Sequence, residues 1–160
     1  MKRLRLKDCP TTGLPDYKTM RLSPETIAED FNWLETWDDR YGYLIDLGRQ
    51  LPPLADADRT EETRIEGCQS GVWIKIEPVD GGEPLRLAFS GDSDSAIVKG
   101  LVAIVIALVN GRSPQDILAL DIPAYFSGLN LEGHLSPTRK TGLNEMVKTI
   151  KQQAALYAQT

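Results

Sequence analysis

Gly67-Cys68-Gln69-Ser70-Gly71-Val72-Trp73-Ile74-Lys75-Ile76-Glu77 leads through Asp80-Gly81-Gly82 and Leu85-Arg86-Leu87-Ala88-Phe89 to Gly91-Asp92-Ser93-Asp94-Ser95, and this stretch decides the fold. Val72, Ile74 and Ile76 alternate with polar or amphipathic neighbours, which predicts a strand with one buried face. Asp80-Gly81-Gly82 signals a hairpin turn. Leu85, Leu87 and Phe89 repeat the alternation in a returning strand. Gly91-Asp92-Ser93-Asp94 then opens a helix over about Ser95 to Asn110, which Gly111 ends. Its apolar residues, from Ala96 to Val109, cover nearly the whole circumference. Such a helix belongs inside a core.

Working outward, Ser23-Pro24-Glu25 is a helix start, with Ser as cap, Pro at the first position and Glu at the positive end of the dipole. Ile27, Phe31 and Leu34 follow at helical spacing. A second helix runs from about Trp37 to Gln50, with Tyr41, Leu44, Ile45 and Leu47 on one side, until Leu51-Pro52-Pro53 stops it. Arg59 to Glu66 is polar and extended near its end. On the other side, Ser113-Pro114-Gln115-Asp116 starts a short helix, and Ser136-Pro137-Thr138-Arg139 leads into a last helix from about Gly142 to Tyr157. Residues 1–22 form an irregular arm with the breakers Cys9-Pro10, Gly13 and Leu14-Pro15. The expected organisation is that arm followed by a single domain over 23–160. Its class is α+β, with helices flanking a small antiparallel sheet.

The chain has 160 residues, 41% apolar and 26% charged, enough for one domain with a real core. A formal net charge of -5 argues against a nucleic-acid partner, because phosphate contacts need a basic face. The most apolar run, Leu101 to Val109, is far short of the ~20 residues a membrane-spanning helix needs. The basic start, Met1 to Lys7, lacks the apolar stretch of a secretory signal. A cytoplasmic location is expected.

Two cysteines, Cys9 and Cys68, and one histidine, His134, bound the chemistry. They are too few and too scattered for a structural zinc site or a cluster site within one chain. No metal and no cofactor are expected, and chemistry on sulfur would be that of a single thiol. A cysteine is commonly a small buried hydrophobe. Cys68 instead lies in a polar turn between Gly67 and Gly71, where glycines let the backbone bend and a partner approach. A structural thiol would be expected on the apolar face of a strand.

Glu66-Gly67-Cys68-Gln69-Ser70-Gly71-Val72-Trp73, with Leu51-Pro52-Pro53-Leu54 and Arg59 upstream, resembles the SufE family of sulfur acceptors. Gly91 to Gly100, Leu135-Ser136-Pro137-Thr138-Arg139 and Gly142-Leu143 add to the resemblance, which spans roughly Ile27 to Leu156 in the family's order and spacing. The resemblance implies that Cys68 is a persulfide carrier, with Gly67, Gln69, Ser70, Asp94 and Arg139 forming its loop and partner contacts. It implies a pyridoxal-phosphate cysteine desulfurase (SufS-like) as donor and an iron–sulfur scaffold (SufBCD-like) as user. It also implies a fold shared with IscU-type scaffolds. A close variant of the family would instead feed sulfur to tRNA modification.

Other residues carry competing readings. Asp92 and Asp94 suit a helix cap at the core helix, and the resemblance puts Asp94 near the cysteine loop. Arg139 is a surface residue at a helix start or a contact to the partner enzyme. His134 is a solvated loop residue or the base of a Cys68–His134 hydrolase pair. Trp33, Trp37 and Trp73 are expected in or at the edge of the core. Cys9 is an incidental thiol or a resolving partner for Cys68. A third function is a module that activates a desulfurase without carrying sulfur. An outer persulfide sulfur is easily lost to small thiols, so Cys68 is expected to turn inward between transfers, under the cover of Val72 and the Ile97 helix.

Overall fold

The computed structural model describes residues 23–52, 54–79 and 84–159. The arm over 1–22, Cys9 and the turn at Asp80-Gly81-Gly82 lie outside the described residues. The elements are α1 (Pro24–Trp33), α2 (Trp37–Arg49), β1 (Val72–Val79), β2 (Arg86–Ser93), α3 (Ala96–Val109), α4 (Pro114–Ala119), α5 (Ile122–Gly128) and α6 (Pro137–Ala158). The class is α+β, as expected.

Local chemistry sets the helix starts. Ser23, Thr36, Ser95, Ser113, Asp121 and Ser136 each accept a backbone N–H from the first turn of the helix they precede. Pro24, Pro114 and Pro137 follow their caps directly, where a missing N–H costs nothing.

β1 and β2 pair antiparallel, with Val72 opposite Ser93 and Val79 opposite Arg86. A short segment covers the far edge of β1: Ile65 N–H donates to Val72 at 2.9 Å and Ile74 N–H to Thr63 at 2.8 Å. The turn after α3 covers the outer edge of β2, where Gly111 N–H donates to Leu87 at 2.8 Å. Both strand edges are therefore partly occupied.

α3 is the core. Leu101 to Ile106 are buried without a break, as the all-round apolar pattern predicts. The helix lies on β2 and is crossed on another side by α2. Two glycines permit that crossing: a Cβ on Gly100 would collide with the Leu44 carbonyl oxygen, and one on Gly48 would stand 3.0 Å from Gly100 N.

Some expectations need correction. Gly91 to Ser93 finish β2 instead of opening the helix, because Ser95 supplies the cap. The last helix begins at Pro137, so Gly142 lies inside it. Trp33 ends α1 on its outer face and is 80% exposed, not packed in the core.

Candidate functional site

Residues 66–71 form a loop between the segment that bridges β1 and the start of β1 itself. Gly67 sits at φ +86°, a conformation that side chains disfavour. Gly71 has no room for a side chain, because a Cβ there would lie 2.5 Å from the Trp73 ring and 2.7 Å from Asp94 Oδ2. The Gly71 N–H donates to both Asp94 carboxylate oxygens at 3.1 Å. Its carbonyl accepts from Asp94 N at 3.1 Å and from Ser93 Oγ at 2.7 Å. The C-terminal end of the loop is clamped by four hydrogen bonds from the β2–α3 junction.

Asp94 is therefore bound to the loop and is not a helix cap. Asp92 is buried, and its carboxylate takes the Arg59 guanidinium on one oxygen and Lys99 Nζ on the other at 3.4 Å. Arg59 also lies over the Trp73 ring, 5.3 Å from its centroid, and Arg64 lies 5.8 Å from it. These contacts fix Trp73 beside the clamp.

Cys68 is half-buried and points inward, with Sγ 3.6 Å from the Gly142 carbonyl of α6. It borders a cleft of about 330 Å³. Gln69 and Ser70 from the loop, Val98 and Leu101 from α3, and Arg139, Leu143 and Met146 from α6 line the cleft with it. The apolar cover thus comes from Val98, Leu101 and α6; Val72 is buried in the core beneath the sheet. Burial pushes the Cys68 thiol pKa up, and the Glu145 carboxylate adds to the rise; Arg64 opposes them. Burial and Glu145 thus both favour the protonated thiol in this position, and a thiol is a poor nucleophile.

The loop thus brings Cys68, Gln69 and Ser70 to the cleft that Arg139 lines from α6, with Gly67 at the loop's start and Asp94 bound to its end at Gly71. His134 does not join them. It stacks on Trp37, ring centroids 3.6 Å apart, and is not among the residues lining the cleft, so the Cys68–His134 pair is not formed. Sequence reasoning misses Gly142, Glu145 and Met146 as site residues. A glycine inside a helix is the available signal for the first; the others look in sequence like any residues of an amphipathic helix. Among the described residues, no group of three or more His, Cys, Asp or Glu side chains gathers to hold a metal ion. No helix there is long and apolar enough to cross a membrane.

Comparison with known proteins places the chain in a family. A family model, SufE: Fe-S metabolism associated domain, matches residues 25–154. An uncharacterized SufE-like protein of Rhizobium etli is 43% identical over 136 residues, covering 85% of this chain and 92% of the relative. One of Rhizobium meliloti is 40% identical over 132 residues, covering 82% and 94%. The solution structure of a hypothetical protein from Thermus thermophilus superposes with a TM-score of 0.68 over 86% of this chain and 96% of that one. At 21% identity, that likeness speaks for the fold. With the family model spanning most of the chain and the rhizobial relatives nearly full-length, the chain belongs to the SufE family of Fe–S metabolism proteins.

Proposed function

We propose that the domain over 23–160 is a cytoplasmic sulfur acceptor that takes persulfide sulfur from a cysteine desulfurase onto Cys68 and delivers it to iron–sulfur assembly. One observation carries this reading. Cys68, the free cysteine among the described residues, sits on a glycine-stemmed loop beside a cleft lined in part by Val98, Leu101, Leu143 and Met146. Family membership supports it.

The step is thiol–persulfide exchange. With the loop drawn outward, the Cys68 thiol gives up its proton and the thiolate attacks the outer sulfur of the donor's cysteine persulfide. A new S–S bond forms at Cys68 while the donor's S–S bond breaks, and the donor cysteine leaves as a thiolate that takes up a proton. No outside oxidant or reductant is consumed. Delivery repeats the exchange on a downstream thiol. Gln69 and Ser70 flank the reacting sulfur, and Arg139 on the cleft rim offers a cation to the partner's surface.

Incubation with a desulfurase, pyridoxal phosphate and L-cysteine, followed by peptide mass mapping, tests the reading. Cys68 should gain sulfur and Cys68→Ser should lose the ability to stimulate the desulfurase. A bare Cys68 with sulfur only on Cys9 would sink the carrier role. Full stimulation by Cys68→Ser would leave an activator that carries nothing.

A further inference from the structure

We propose that Gly142 and Glu145, one turn apart on α6, form the latch that holds Cys68 in its inward position. The inference rests on the carrier reading for its purpose, but its geometry stands apart from it.

The two contacts grip adjacent residues of the loop. A Cβ on Gly142 would lie 3.0 Å from Cys68 Sγ and 3.7 Å from Cys68 Cβ. The cysteine thus occupies the space that any other residue would fill with its own side chain. The bare helix also exposes the Gly142 carbonyl, which accepts from the thiol at 3.6 Å. One residue earlier in the loop, the Glu145 side chain packs on the backbone of Gly67, with Cγ 2.9 Å from where a Cβ would be. Gly67 is already at a φ of +86°, so this stem admits neither a side chain nor a shift of Glu145 toward it. Asp94 grips the opposite end of the loop at Gly71. The inward pose is thus held from both ends, by α6 at Gly67 and Cys68 and by Asp94 at Gly71.

The latch is also selective for the proton. A carbonyl accepts from a thiol and repels a thiolate, and the Glu145 carboxylate adds its repulsion. The other charges around the loop are Arg64 before it, Glu66 within it, Asp94 at its end and Arg139 across the cleft; α3 contributes only Val98 and Leu101 to the cleft. Of these, Arg64 alone acts on the sulfur in favour of the thiolate. The latched state binds the proton more tightly than the released state. Raising pH through the ordinary thiol range therefore favours release, and lowering it restores the latch.

Alkylation of Cys68 by iodoacetamide, followed across pH, tests the latch in the full chain. Glu145→Gln should move the midpoint of the rate–pH profile down and raise the neutral-pH rate by about threefold. Gly142→Ala should raise the rate by about tenfold, including at alkaline pH, where protonation no longer limits it. It should do so with an unchanged or higher thermal midpoint, since alanine favours a helix over glycine. Loss of stability together with faster alkylation would mean general loosening and would overturn the latch at that position; Glu145→Gln then decides alone. Profiles for both variants within experimental error of wild type would overturn the proposal. Sulfur loading of wild-type Cys68 by a desulfurase separates the two ideas. Loading with unchanged variant profiles removes the latch and keeps the carrier; shifted profiles without loading keep the latch and remove the carrier.

Discussion

Gly71 and Asp94 act as one unit at the scale of single residues. The absent side chain of Gly71 is what lets the Asp94 carboxylate reach its N–H with both oxygens. Asp94 itself is exposed, so its hold on the loop is worth about 1 kcal/mol, toward the low end for a charge-assisted bond. Asp94→Ala should therefore raise the alkylation rate of Cys68 by about fivefold. An unchanged rate would show that the clamp does not set the loop's resting position. Arg139 stands on the first turn of α6 at the cleft rim, and Ser136 caps its backbone without using its side chain. Arg139→Ala should weaken stimulation of a desulfurase while leaving the far-ultraviolet circular dichroism unchanged; equal stimulation across a concentration series would return it to an ordinary surface role. The loop that carries Cys68 was legible in sequence because two glycines bracket it in a polar turn. Asp94 was legible only in part: a helix cap and a loop ligand use the same acceptor oxygens, and only the pairing of Val72 with Ser93 sets Asp94 against Gly71.

Among the elements, α3 depends on close approach as much as on apolar area. At Gly100 it touches the backbone of α2 with no atom to spare. Gly100→Ala forces the two helices apart, and backbone oxygen cannot move aside as a flexible side chain does. The expected cost is about 3 kcal/mol, larger than the helix propensity that alanine gains. A urea unfolding midpoint equal to wild type would show that α2 shifts freely. The starts of α1 and α4 were readable from sequence because capping is local chemistry. The end of β2 and the start of α6 were not. A strand continues while its neighbour offers hydrogen bonds, and β1 offers them as far as Ser93. Gly142 looked like a boundary because glycine weakens helices, yet packing against Cys68 makes a bare position useful there.

For the molecule as a whole, Asp92 ties three separate pieces together: the Arg59 segment, β2 and Lys99 on α3. Its carboxylate is buried but both cations are part-exposed, so removing it costs less than breaking a fully buried pair. Asp92→Ala should destabilise by about 2 kcal/mol, read as a lower denaturant midpoint. Hydrogen exchange should then accelerate over residues 59–65 before it does in α3; simultaneous acceleration would show that Asp92 supports only the global fold. The α+β class, the starts of α1 and α4, the antiparallel strand pair and the all-round apolar core helix were determined by the sequence alone, since periodicity and capping act over a few residues. So was the singular position of Cys68. The inward pose of the thiol, its neighbours Gly142 and Glu145, the exposure of Trp33 and the separation of His134 from Cys68 were decided by tertiary structure. Each depends on which surfaces meet when α6 closes over the β1 loop, and the residues involved lie more than seventy positions apart for Cys68 and Gly142. No local rule carries that distance; only the packing of the whole chain does.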